Sequence, residues 1–303
     1  MKRLRIPGVV DIISSDDASE IEAFAQDLNL DRAYADHSIL TNGKILQRVQ
    51  STLQIGGRPF PTATSRRAEG RAAAQDALWK RLSSLAADYA GGPNELEDVA
   101  AFVRGDGPDN TCCPLVQQVV GQLFSPTFKA TTETWSAALV LDQAARTLNL
   151  PLLAWWKITG RIDQAKKLLS DMVAGDLAAV HAIGVAVHNL VNGVNLMKEL
   201  YNDSSNRASL SPEMAGRRCL FAPPSVLRQP TNSENSASGE LETGTLVILN
   251  LQSANTKTAN ADLVFLRDTW SQCPAEQWVP ALLQGIWRRA CSHQLPNHSS
   301  ATR

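Results

Sequence analysis

The sequence predicts a mainly α fold with a small β region in its C-terminal half, and three features carry that expectation. Apolar residues recur at three- and four-residue spacing along most of the chain. The stretch from Gly175 to Tyr201 is apolar nearly all round, a surface that only a helix enclosed by other elements can bury. From residue 222 the character changes. Pro223-Pro224, the polar run from Thr231 to Gly239, and Gly244 punctuate a segment in which Thr245-Leu246-Val247-Ile248-Leu249-Asn250-Leu251 reads as a strand.

In chain order, Val9 to Ile13 is a short apolar run, and Asp17-x-x-Glu20 after it has the pattern of a capping box opening a helix with Ile21, Phe24, Ala25 and Leu28 on one face. Val49 to Ile55 suits a strand, ended by Gly56-Gly57-Arg58-Pro59. Ser65 is placed to cap the next helix, whose stripe is Ala74, Leu78, Leu82, Leu85 and Tyr89 and whose stop is Gly91-Gly92. Val116 to Leu148 is helical with a break near Pro126, and Trp135, Leu139 and Asp142 share a face there. Another helix covers Gln164 to Val173. The central helix follows, and Asn202-Asp203-Ser204-Ser205-Asn206 ends it with side chains that compete for backbone hydrogen bonds. A last helix runs from Pro274 to Arg289 with Trp278, Leu282 and Ile286 four apart. Residues 1–296 read as one helical domain with a strand-rich insert at about 222–256, and 297–303 as a disordered polar tail.

Composition narrows the function classes. Hydrophobic residues make up 44% of the 303 and charged residues 19%, the balance of a chain with a packed core. With 29 basic against 30 acidic residues the net charge is -1, so no global field favours nucleic acid. Met-Lys-Arg-Leu-Arg is followed by Ile6-Pro7-Gly8 where an export signal needs a long apolar run. Five cysteines, two of them the adjacent Cys112 and Cys113, do not make a secreted disulfide framework, so a cytoplasmic protein with reduced thiols is expected. Leu177 to Met197 has no charged residue, but His181, His188, Asn189, Asn192 and Asn195 would each need a partner in lipid; the segment reads as a buried core helix and not as a transmembrane segment.

No nucleophile elbow, P-loop, dinucleotide-binding glycine pattern or Cys-x-x-Cys pair occurs. His181 and His188, seven apart on one helical face, are open to two readings, a metal pair or satisfied core histidines. Asn189, Asn192 and Asn195 either line a polar pocket or bond a neighbouring helix. Gly184 and Gly193 call for a close approach, by something flat or by neighbouring backbone. Trp155-Trp156 is read as core packing, and Arg66, Arg67 and Arg71 as a solvated face.

One constellation stands apart. Pro223-Pro224-Ser-Val-Leu-Arg228 is followed in order by Gly239, Gly244-Thr245, Ala254-Asn255, Phe265 and Cys273-Pro274-Ala275-Glu276. That order resembles the C-terminal third of the cytochrome P-450 (haem-thiolate) superfamily, in a shortened and divergent form. The resemblance implies a reduced P-450-like helical fold binding haem b, with Cys273 as the iron ligand at a helix start, where backbone N–H groups stabilise a thiolate. It further implies that Arg228 meets a haem propionate, and that the central helix crosses the distal face with His188 and Asn189 handling the distal ligand.

This chain departs from the family pattern at three places. Gly216 stands where the Glu-x-x-Arg motif starting at Glu213 expects arginine, although Arg217 follows it. Leu266 and Thr269 stand where the cysteine loop expects phenylalanine and glycine. His188-Asn189 lies in the neighbourhood of the acidic residue-threonine pair. The implied activity is that of a monooxygenase with a redox partner, or of a peroxide-using isomerase or dehydratase, on a hydrophobic, fatty-acid-like small molecule. Two other readings are a helical protein of this outline that has lost haem, and an unrelated helical interaction module.

Overall fold

The computed structural model describes residues 1–32, 34–89, 95–106, 112–146, 150–236, 239–258 and 260–292. A hairpin opens the chain, β1 (Lys2–Ile6) antiparallel to β2 (Val10–Ser15), turning at Gly8 with φ +69°. Helix α1 (Ala18–Gln26) starts at Asp17, whose Oδ1 accepts from the Glu20 amide at 3.1 Å. The reciprocal half of this capping box closes through Ser15, whose hydroxyl donates to Glu20 Oε2 at 2.6 Å and accepts from the Asp17 amide at 3.1 Å. Two residues of strand follow, β3 (Leu30–Asp31).

Sequence and structure part company at Val49–Ile55. Helix α2 (Leu40–Thr52) continues through this segment because Leu46 and Val49 are buried at helical spacing, and only β4 (Gln54–Ile55) turns back to pair with β5 (Arg58–Pro59). Helix α3 (Arg71–Tyr89) begins at Arg71; Ser65 does not cap it, donating instead to Asp31 Oδ2 at 2.8 Å. On its stripe Leu82 is buried, Leu78 half-buried and Ala74 exposed, while Gly91-Gly92 lie outside the described residues.

Helices α4 (Glu95–Arg104) and α5 (Cys112–Phe124) lead into the break near Pro126. Phe128 there folds back on Gly121, and α6 (Thr132–Arg146) follows. Then come α7 (Leu150–Ile158) and α8 (Arg161–Met172), joined at Gly160 with φ +63°. The central helix is one continuous rod, α9 (Leu177–His181), a π-helical turn (Ala182–Ala186) and α10 (Val187–Asn202), opened by Asp176, which accepts from the amides of Ala178 and Ala179. It is long and apolar enough to cross a membrane by length and composition, yet 56% of its apolar window is buried, and it packs on α4, α5 and α6. Short α11 (Ser204–Ser209) and α12 (Pro212–Arg218) precede β6 (Val226–Pro230), the hairpin β7 (Glu234–Ser236) and β8 (Gly239–Leu241), and β9 (Leu246–Leu249). Helices α13 (Leu251–Thr258) and α14 (Ala261–Phe265), a 3-10 turn (Pro274–Gln277) and α15 (Val279–Ser292) complete the chain.

The strands of 226–249 are not a self-contained insert. The main sheet runs β1-β2-β9-β6-β3, so β6 and β9 complete a sheet whose other three strands come from the first 31 residues. β2 lies parallel to β9, with Ile12 opposite Leu246, and β3 antiparallel to β6. This topology carries Asp31 and Arg32 to the side of Arg228. The tail, 297–303, lies outside the described residues.

Candidate cofactor site around Cys273

The loop from Phe265 to Cys273 is closed by its own backbone, the Cys273 amide donating to the Phe265 carbonyl at 2.7 Å. Its left-handed residues are Leu266 (φ +49°) and Asp268 (φ +61°). Position 269 therefore has no need of glycine, and its side chain is used: Thr269 Oγ1 donates to Leu266 O at 2.8 Å and accepts from the Ser271 amide at 3.3 Å. Two non-glycine residues in this region of φ are a strained arrangement, of the kind structures retain around sites.

Cys273 caps the 3-10 turn, and the Ala275 amide points at its sulfur. The side chain is half-buried. Burial pushes its thiol up, against the pull of the Ala275 amide and the Arg32 charge. Two surface clefts, of about 500 Å³ near Asp31 and Arg67 and about 470 Å³ near His37 and Gln50, do not include Cys273 in their walls.

Three guanidiniums converge beside it on Trp270. Arg228, on β6 and 1% exposed, donates from Nη2 to Ser271 Oγ and from Nη1 to Leu227 O, both at 2.8 Å, and lies 5.1 Å from the Trp270 ring. Arg32, following β3, donates to Ser271 O at 3.2 Å with its guanidinium 5.2 Å from that ring. Arg71, the first residue of α3, donates to Trp270 O at 3.1 Å and lies 5.0 Å from the ring. The carboxylate beside them, Asp31, already accepts from Ser65 Oγ and the amides of Arg32 and Arg66. Three cations thus share one acid, and burial followed by the Arg228 charge pushes Arg32 down to about 9. Burial pushes Arg228 down as well. Arg228 Nε and Trp270 Nε1 are buried without a partner. Buried donors and charges are normally matched, and an anionic group with several acceptor oxygens would match these. A dicarboxylate porphyrin next to a thiol fits that donor set.

The predicted distal residue His188 is engaged by α6. His188 Nε2 is 3.2 Å from the Ala138 carbonyl, its ring 4.8 Å from that of Trp135, and Asp142 of α6 acts on it. Asn189 is half-buried, while Asn192 and Asn195 are exposed and line no interior pocket. His181, despite its seven-residue spacing from His188, turns to other partners, with Nε2 3.1 Å from Thr62 Oγ1 and its ring 5.7 Å from Phe60. Among the described residues no His/Cys/Asp/Glu cluster suits a metal ion.

The helix glycines are explained by protein. A Cβ at Gly193 would lie 2.4 Å from Cys219 O, and one at Gly184 would lie 2.9 Å from Leu169 Cδ1. Gly216 lets α12 lie on α15, where a Cβ would meet Gln284 Cγ at 3.0 Å. Trp156 is buried, but Trp155 is 60% exposed and so is not core. Arg66 and Arg67 bond Leu28 O and Thr231 Oγ1, and Arg71 belongs to the Trp270 cluster, so these three are not a freely solvated face.

Sequence reasoning singled out Cys273 and Arg228 but gave no role to Arg32, Arg71 or Trp270, which the structure brings beside Arg228. Asp31-Arg32 lies 196 residues before Arg228, and only strand pairing joins them. Trp270, three residues before Cys273, was the available signal.

No family model matches the chain, and no curated protein is similar to it in sequence. Solved structures do match. The cytochrome P450 RauA, complexed with a biosynthetic intermediate of aurachin RE, aligns with a TM-score of 0.62 at 12% identity over 96% of this chain and 86% of its own. CYP175A1 from Thermus thermophilus gives 0.58 at 14%, over 95% and 83%. The bacillaene polyketide synthase cytochrome P450 PksS of Bacillus subtilis gives 0.56 at 10%, over 95% and 84%. These alignments run along nearly the whole chain, far beyond the C-terminal third, and the chain has the cytochrome P450 fold.

Proposed function

We propose that this chain is a haem-thiolate enzyme acting on a hydrophobic small molecule, with Cys273 as the iron ligand. The observation that carries the reading is the Trp270 cluster: three guanidiniums, two orphaned donors and one engaged acid beside a cysteine at a helical turn. Haem b, when bound, supplies an iron centre that activates oxygen or peroxide, made electron-rich by a thiolate. Arg228, Arg32 and Arg71 hold its carboxylates. The Ala275 amide steadies the sulfur as thiolate. The neighbours' printed descriptions, a polyketide synthase component and a complex with an aurachin intermediate, agree with an apolar organic substrate, as does a fatty-acid-like molecule.

Peroxide-using isomerase or dehydratase chemistry is favoured over monooxygenation with a redox partner. The π turn and its continuation, Ala182-Ile183-Gly184-Val185-Ala186-Val187, offer neither hydroxyl nor acid to relay protons to oxygen.

The test is an absorption spectrum of reduced, carbon-monoxide-treated protein after haem supplementation. A thiolate-type Soret band is expected in the parent and in Cys219→Ala, and is lost in Cys273→Ala. Protein that stays colourless, or a thiolate band surviving in Cys273→Ala, sinks the assignment.

A further inference from the structure

Arg228 is held by two anchors, and one of them has a second donor. Its Nη2 donates to Ser271 Oγ and its Nη1 to the Leu227 carbonyl, both at 2.8 Å, while Nε is buried with no partner among the described residues. The Tyr34 hydroxyl donates to the same Leu227 carbonyl, also at 2.8 Å. Tyr34 is 5% exposed, with its ring in a small cluster with Leu46 and Leu246. Burial pushes the phenol up, so the hydroxyl keeps its proton and stays a donor. The backbone there is strained: φ at Tyr34 is +41°, a region that bulky residues rarely enter. Neighbouring side chains hold it so. Gln50 Nε2 donates to Tyr34 O at 3.0 Å, and Gln229 of β6 accepts from the Asp36 amide on Oε1 at 3.1 Å and donates from Nε2 to Asp36 O at 2.7 Å. Packing of the ring accounts for neither the hydroxyl contact nor the strain.

We propose that Tyr34 is a positioning residue for the carboxylate cradle, its hydroxyl fixing the Leu227 carbonyl that anchors Arg228, so that the guanidinium presents its unpartnered Nε–H to a cofactor carboxylate. The inference rests on the haem-thiolate reading and deepens it. A guanidinium is planar, so two anchored nitrogens set the direction of the third. Nε–H and a hydrogen of Nη2 form the fork that a carboxylate accepts in parallel. Ser271 ties that fork to the loop two residues before Cys273, and Leu227 ties it to the sheet. Leu227 and Arg228 are chain neighbours, whereas Tyr34 reaches the same oxygen from 193 residues away, so its bond holds the anchor against a separate segment of the fold.

The experiment compares uptake of haem with uptake of its dimethyl ester, in which both carboxylates are capped, by titrating the haem-free protein and following the Soret band. Tyr34→Phe keeps the ring and removes the hydroxyl. It is expected to weaken haem about tenfold, as a misdirected charge-assisted hydrogen bond does, and to leave the ester within about twofold of the parent. In an Arg228→Gln background, which has already lost the fork, Tyr34→Phe should add less than about twofold. Gln50→Met, which frees Tyr34 O and touches no cradle residue, should weaken haem about threefold and spare the ester. A nitrogen-15 spectrum of the parent should show the Arg228 Nε–H signal moving on haem uptake, and Tyr34→Phe should broaden it. Equal losses for haem and ester, or no loss for either, overturn the positioning role while the thiolate band stands. Haem uptake that keeps the Tyr34 difference but gives no thiolate band overturns Cys273 as ligand and leaves the cradle. Absence of any haem uptake by the parent overturns the reading beneath, and this one with it.

Discussion

The buried amide of Gln117 beside the central helix and the buried donors around Trp270 are treated in opposite ways. Toward α5 and α6 the buried Gln117 amide is matched by protein: its Nε2 donates to Thr134 O at 3.1 Å and Ile183 O at 3.0 Å, while its Oε1 accepts from Thr134 Oγ1 at 2.8 Å. Toward α15, Tyr201 Oη reaches Ala290 O at 3.2 Å. Around Trp270 the reverse holds, with two donors orphaned and three cations sharing an engaged acid. Unmatched buried groups cost stability, and the two beside Trp270 differ from those elsewhere in lying against a knot of guanidiniums, a set that an anionic ligand would satisfy. The helical side is built to stand, and the Trp270 side to hold something.

The largest expected effect tests the helical side. A methyl group at Gly193 would sit 2.4 Å from Cys219 O, a backbone atom that cannot swing away as a flexible side chain can. Gly193→Ala should destabilise the protein by about 3 kcal/mol, the upper range of overpacking costs, read from its urea midpoint. A cost below about 1 kcal/mol would show that α10 and α12 are not locked together as described.

His181 bridges the two regions, and its titration separates them. Burial, then the Arg32 charge, pushes the ring down from its ordinary 6.5 to about 4. Between these values the unfolded chain binds a proton that the folded protein refuses, so the contribution is complete above pH 6.5 and lost as pH falls toward 4. The parent should lose about 3 kcal/mol of stability across that window relative to His181→Gln, measured in parallel denaturation curves. Parallel curves with no divergence below pH 6 would mean the ring is open to solvent water.

What the sequence could reveal follows the same division. The central helix was legible because Leu177 to Met197 carries no charge, and the last helix because Trp278, Leu282 and Ile286 repeat at four. Cys273 and Arg228 were legible through the order of their neighbours. The N-terminal strands were not, since β3 is two residues long and its partner lies 200 residues away, Leu30 pairing with Pro230. Local propensity carries no trace of such pairing. Val49–Ile55 misled because β-branched and apolar residues also suit the buried face of a helix, and Leu46 with Val49 used them so. The Trp270 cluster was hidden for the deeper reason that its cations come from three remote segments and only the sheet brings two of them together.

Arg32 gives the smallest expected change and the sharpest contrast, because one substitution should act with opposite sign on the two properties. In the haem-free protein its guanidinium is 8% exposed and pushed down to about 9, with Ser271 O and the Trp270 ring as its contacts. Holding a cation there beside Arg228 and Arg71 costs more than those contacts return, and an apolar side chain of similar length fills the volume without the charge. Arg32→Met should therefore stabilise the haem-free protein by about 1 kcal/mol. The same change removes a donor and a charge from the carboxylate cradle, so it should weaken haem retention, measured as the rate of transfer to a competing haem acceptor. A residue kept only for packing would lose on both counts when replaced. A residue that makes the empty protein worse and the loaded one better is explained only by the group it waits for.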